Sequence, residues 1–277
     1  MTISEADYKA FVNFETDSWV KLAEHYDTLA GQMTRQAVEA VLEAVALKPG
    51  AKLLDVATGP GYVAAEAQRR GAKPTGVDFS PDMIADARLR FPTLTIEQGD
   101  AESLRYADAS FDTVVCAFGM LHFPRPGKAL AEAYRVLRPG GRHVFTVWCG
   151  PGKNKFFGMI GDIVLKHADP KVGLPTGPSQ YMLSDPNVSA ALMDAASFID
   201  TRVEEVLCTF AASSPADVLS FLRKCALRAI YIVDRQSPDV RARIEEDLLA
   251  AGAMAITEHS GKIPCPILMT SGTKRTG

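Results

Sequence analysis

Unbroken apolar stretches, surplus charge of either sign and paired cysteines are all scarce in this 277-residue sequence. No apolar run approaches the ~18 residues a membrane-spanning helix needs, and the longest, 114–118, is strand-sized. Thirty Lys and Arg against 33 Asp and Glu leave a net charge of −3, which excludes a protein that coats a polyanion by charge. Residues 1–11 carry Glu5, Asp7 and Lys9 where a secretory leader would be basic and then apolar. A cytoplasmic location without membrane or nucleic-acid partners is therefore expected. The five cysteines, Cys116, Cys149, Cys208, Cys225 and Cys265, are odd in number, widely spaced and free of any C-x-x-C pair. That argues against a disulfide framework or zinc knuckle and reads as small buried hydrophobes. Repeats and low-complexity segments are missing too.

What is present is ordinary globular composition, 47% hydrophobic and 23% charged, over a length that allows one large domain or two small ones. Apolar residues Val38, Val41, Leu42 and Val45 recur at helical spacing within 35–47, and Lys48-Pro49-Gly50 stops them. Strands are predicted at 52–57, 74–79, 94–98, 111–118 and 142–148, with helices at 61–70, 81–90 and 127–137. Strands alternating with helices imply a mostly parallel sheet covered on both faces. A cap residue followed by proline recurs at Ser80-Pro81, Asp185-Pro186, Ser214-Pro215 and Ser237-Pro238, each a helix start. These anchors predict helices at 156–167 and 186–196, a strand near 202–210, two further amphipathic helices and a last strand near 267–270. Pro264 and Pro266 cannot donate to a ladder, so that strand should begin after them.

The stretch 53–61, LLDVATGPG, carries most of the chemistry. A buried strand ends in a carboxylate, turns through Gly59 and Gly61 and enters a helix, whose first N–H groups are free. Asp78 ends the next strand, so two acids are expected near the sheet's switch point, where α/β proteins bind ligands. The segment 59–64 also fits G-x-G-x-x-G/A, with Asp78 near the offset of an NAD ribose acid. Asp55 precedes the turn, however, where an anion-binding loop gains nothing from a carboxylate. It suits a ligand with a cationic group, such as the amino end of S-adenosylmethionine (SAM).

The chain resembles the class I SAM-dependent methyltransferases, and most the small-molecule branch of ubiquinone and menaquinone biosynthesis enzymes. The resemblance rests on LLDVATGPG (53–61), GVDFSPDMIADAR (76–88), QGDAESL (98–104), FDTVVCAFGMLHF (111–123) and RVLRPGGRHVFTVW (135–148), in that order. Ala57 departs from it, standing where the broader superfamily often has glycine. The resemblance implies an α/β fold with a doubly wound, seven-stranded Rossmann-like sheet, mostly parallel with the last strand antiparallel. It implies one domain over 1–277: a helical cap at 1–47, a SAM-binding core at 48–148, and substrate-covering inserts at 149–198 and 212–260. Gly59 and Gly61 would shape the loop under the methionine part of SAM, with Asp55 nearby and Ala57 in the same turn. Asp78 would take both ribose hydroxyls, Asp100 the adenine amino group, and the backbone of Ala101 or Glu102 the ring edge. Phe79 and Met83 would pack on adenine, and the backbone at Ala117 and Phe118 would face the methionine amino group. Tyr26, on a helix face with Trp19, Leu22, Ala23 and Leu29, would fold over the cofactor as part of a lid.

The implied reaction is transfer of the SAM methyl to O, N or C of a small, partly apolar acceptor, leaving S-adenosylhomocysteine. His122, just after the fourth strand, is the candidate base, since an unperturbed imidazole titrates at about 6.5. The nucleic-acid amine motif [DNS]-P-P-aromatic is missing where Ala117-Phe118-Gly119-Met120 stands, and no Pro-Cys pair ends that strand. H-E-x-x-H, G-x-S-x-G and G-x-x-x-x-G-K-[ST] are absent, and no metal is implied. The aromatic and Met-rich residues Trp148, Phe156, Phe157, Met159, Tyr181, Met182, Phe221 and Tyr231 fit either core or an apolar acceptor pocket. Arg223, Lys224 and Arg228 read as a solvated helix face, with an acidic substrate as the alternative. A homo-oligomer is left open. The alternatives are an NAD-dependent oxidoreductase and a non-catalytic protein that binds ligand or partner on a SAM fold.

Overall fold

Residues 3–276 are described by a computed structural model. Three N-terminal helices, α1 (Glu5–Tyr26), α2 (Ala30–Thr34) and α3 (Val38–Ala44), precede β1 (Lys52–Val56). The chain then alternates through α4 (Tyr62–Arg69), β2 (Lys73–Asp78), α5 (Pro81–Arg90), β3 (Thr95–Gln98), β4 (Phe111–Ala117), α6 (Pro126–Val136) and β5 (Leu137–Trp148). Next come α7 (Lys155–His167), α8 (Pro186–Ala195), β6 (Phe198–Val206) and β7 (Thr209–Ala211). The chain closes with α9 (Pro215–Cys225), α10 (Leu227–Val233), α11 (Pro238–Glu258), β8 (Lys262–Pro264) and β9 (Ile267–Lys274).

Seven strands form one sheet in the order β3-β2-β1-β4-β5-β9-β6, parallel except for β9, which runs antiparallel to both neighbours. Strand order reverses between β1 and β4, so their carboxyl ends open the crevice expected of a doubly wound sheet. Period-two alternation divides the core. Leu53, Val115 and Val144 face one apolar layer, while Leu54, Val114 and Phe145 face the other. All four Pro-led helix starts form: Ser80 accepts from Met83 N, Asp185 from Asn187 N and Ser237 from Val240 N, and Ser214 closes a capping box with Asp217.

Two expectations need correction. The strand foreseen at 202–210 is two strands, because β6 ends at Val206 and β7 leaves the sheet to pair with β8 in a separate ribbon. Pro264 is tolerated at the end of that ribbon, and β9 begins directly after Pro266. Between β7 and β8 stand three helices rather than two, since Ala226 leaves helical geometry at ψ 72° and separates α9 from α10. Among the described residues no helix is long and apolar enough to cross a membrane.

Candidate functional site

The turn after β1 is held by two buried carboxylates that work differently. Asp55 Oδ2 accepts from Thr58 Oγ1 at 2.7 Å and from Ala64 N at 3.1 Å, tying the loop to the first turn of α4. Burial raises its carboxyl to about 7 despite these hydrogen bonds. Asp78 accepts from Gly59 N at 2.8 Å and Ser80 N at 3.0 Å, and burial again raises its pKa. Ala57 sits at φ 54° and Phe118, at the end of β4, at φ 61°. Both non-glycine residues are in the left-handed region, where a Cβ costs about 1–2 kcal/mol. Gly59, at φ 51°, has nothing within 4 Å of where a Cβ would stand, so the backbone borders open space.

Three neighbouring spaces that share lining residues lie over the strand ends. The first, about 230 Å³, is bounded by Ala57, Asp78, Phe79, Gly99, Asp100, Ala101 and Glu102 below and by Tyr8, Val12 and Glu15 of α1 above. A narrow neck joins Tyr26, Ala57, Gly59, Asp78, Phe79, Met83, Phe118 and His122. Beyond it a cavity of about 150 Å³ is lined by Trp19, Tyr26, Phe118, His122, Trp148, Phe157, Tyr181, Phe221 and Arg228. His122 borders all three spaces. Its Nδ1 lies 2.8 Å from Oε2 of buried Glu15, and Trp19 packs edge-on against the ring at 5.0 Å. A carboxylate at Nδ1 requires the proton there, which leaves Nε2 as an acceptor. Tyr26 donates to Thr34 Oγ1 at 3.4 Å, and burial pushes its phenol up to about 12.

Residues 54–145 match the family described as Methyltransferase domain. Demethylmenaquinone methyltransferase of Deinococcus radiodurans is 40% identical over 140 residues, covering 48% of this chain and 57% of that protein. The ubiquinone/menaquinone biosynthesis C-methyltransferase UbiE of Nitrobacter hamburgensis is 34% identical over 164 residues, covering 53% and 65%. The chain thus spans less than two thirds of the length of these relatives. A Haemonchus contortus phosphoethanolamine N-methyltransferase, solved with phosphomonomethylethanolamine and S-adenosylhomocysteine, shares the fold. Its TM-score is 0.60 at 17% identity, over 99% of this chain and 61% of that one.

Within residues 54–145 and α1, Tyr26, Ala57, Gly59, Asp78, Phe79, Met83, Phe118 and His122 converge on the neck. Asp100, exposed and capping Glu102 N at 2.8 Å, stands with Ala101 at the lip of the outer space. Two candidates sit differently from expectation. Asp55 reaches only a small recess beside Tyr26 and Gly59, with its Oδ2 held by Thr58 and Ala64, so of the two strand-end acids Asp78 alone lines the main crevice. Gly61, at φ 85°, packs toward Phe91 and Leu94 and serves as the N-cap of α4. Arg228 is no solvated residue: it is half-buried and lines the inner cavity, whereas Arg223 and Lys224 are exposed. Glu15 escaped the sequence reading, although an acid set among Phe11, Phe14 and Leu22 on one helix face was its signal. Among the described residues no group of three or more His, Cys, Asp or Glu is placed to hold a metal ion.

Proposed function

We propose that the protein transfers the methyl group of SAM to a small, single-ring acceptor. The observation that carries this reading is the meeting, at His122, of an outer crevice edged by acids and an inner aromatic cavity. The residues fit the cofactor: Asp78 keeps acceptor capacity beyond its backbone partners for ribose hydroxyls, and Asp100 stands at the lip for the adenine amino group. Gly59 leaves room for close approach, Phe79 and Met83 offer an apolar face, and Tyr26 covers the neck. SAM, when bound, supplies an electrophilic methyl carbon whose bond to sulfur breaks as the bond to the acceptor forms. The chain's own part is to hold the acceptor in line, exclude water and take its proton at His122 Nε2, with Glu15 holding the ring through Nδ1.

The inner cavity suits one ring, since a space of about 150 Å³ accommodates benzene in an apolar protein core. The relatives, one a demethylmenaquinone methyltransferase and one a C-methyltransferase, support a ring carbon as the acceptor atom. The test is S-adenosylhomocysteine release from SAM across a panel of single-ring quinols, phenols and anilines. Release with at least one ring acceptor is expected. SAM bound without release across the panel would favour the non-catalytic alternative.

A further inference from the structure

The inner cavity holds a cation whose hydrogen-bonding capacity is largely unspent. Arg228 of α10 lies with its guanidinium 5.5 Å from the ring centroid of Phe11 and donates to the carbonyl of Pro178 at 3.3 Å. A guanidinium has five N–H donors, and this is its one hydrogen bond among the described residues. No ion pair ties it either: the acidic side chain whose charge reaches it, Glu15, is engaged at 2.8 Å by His122 Nδ1. A second donor is idle in the same wall, because Trp19 Nε1 is buried without a partner. Arg228 is accordingly desolvated, and burial pulls its pKa below the ordinary arginine value while Glu15 opposes the shift. Of these donors Trp19 Nε1 is fully buried and has no solvent to turn to, and the remaining guanidinium N–H groups are free for an acceptor on a ligand.

We infer that the methyl acceptor is a ring bearing an anionic oxygen group, carboxylate or phosphate, which Arg228 and Trp19 Nε1 bind while the aromatic wall holds the ring. This rests on the methyl-transfer reading above and adds the charge of the acceptor to it. A neutral ring would use neither the free guanidinium N–H groups nor the buried indole N–H, whereas an anion pairs with both. The groups facing Arg228 are thus Glu15 from α1, the Phe11 ring from the same helix, and the Pro178 carbonyl.

The protein carries two tryptophans, Trp19 and Trp148, and both line this cavity, so intrinsic fluorescence reports its occupancy directly. The probes are 4-hydroxybenzoate, phenyl phosphate and the neutral methyl 4-hydroxybenzoate, each titrated with S-adenosylhomocysteine bound. At least one anion is expected to bind about tenfold or more tighter than the ester, the value of one charge-assisted hydrogen-bonded contact. Arg228→Met should abolish that preference, Arg228→Lys should keep part of it, and calorimetric affinity for S-adenosylhomocysteine should be unchanged in both, which shows them folded. The ester binding as tightly as both anions, or a preference that survives Arg228→Met, overturns the inference. No binding of S-adenosylhomocysteine to the wild type defeats the methyl-transfer reading instead.

Discussion

Ala57 shows how a single residue records a compromise. Its φ of 54° is one that glycine adopts freely, yet its methyl fills the space against Gly119, where an added Cβ would come within 2.6 Å of it. Ala57→Gly should relieve about 1 kcal/mol of backbone strain, partly offset by unfolded-state entropy, and raise the urea midpoint slightly. An unchanged or lower midpoint would mean that the methyl's packing outweighs the strain. His143, buried in β5 with Nδ1 3.0 Å from the Val114 carbonyl, gives a second residue-scale prediction. Burial lowers its pKa to about 4, so between about 4 and 6.5 the unfolded chain binds the extra proton and acidification costs stability. Asp55 has the opposite sign over nearly the same window, because its folded pKa is raised to about 7 and acidification returns stability. The two terms oppose each other in the wild type. Denaturation at pH 7 and pH 4.5 should therefore show His143→Gln gaining on the wild type as pH falls, by up to about 3 kcal/mol at full protonation. Parallel curves would contradict the buried neutral imidazole.

At the scale of elements, α1 is the part that joins both halves of the site. It supplies Tyr8, Val12 and Glu15 to the outer space, and Trp19, Leu22 and Tyr26 to the inner cavity. Its end is pinned to α4 and α5 through Asp27, which pairs with Arg35 at 2.5 Å and Arg90 at 3.0 Å and accepts from Tyr62. If Glu15 acts only by orienting His122, the two substitutions are not additive. His122→Ala should lower turnover by about 10²–10⁴-fold, Glu15→Gln by less, and the double variant no further than His122→Ala alone, with SAM affinity retained throughout. Multiplied losses in the double variant would separate the two roles. Legibility in the sequence follows the range of the interaction. The loop at 53–61 and the cap at Ser80-Pro81 are local, and both stand where residue order placed them. Glu15 meets His122 across 107 positions, and the ribbon of β7 and β8 depends on pairing across three intervening helices, so neither has a short-range signature. Arg228 misled because charge on a helix is usually solvated, and burial is a property of the assembled cavity.

For the molecule as a whole, the strand ends within residues 54–145 border both spaces, and helices outside that segment cover them. The near balance of charge that excluded polyanion coating coexists with one arginine, Arg228, in the wall of the inner cavity. Everything proposed about chemistry depends on SAM occupying the crevice at Asp78. Calorimetric titration of the wild type and of Asp78→Ala with SAM, and of the wild type with NAD, tests this in one experiment. The expected result is SAM binding to the wild type, a loss of about 1.5–3 kcal/mol in the variant and no heat with NAD. Equal SAM affinity in both proteins, or saturable binding of NAD instead, would contradict it.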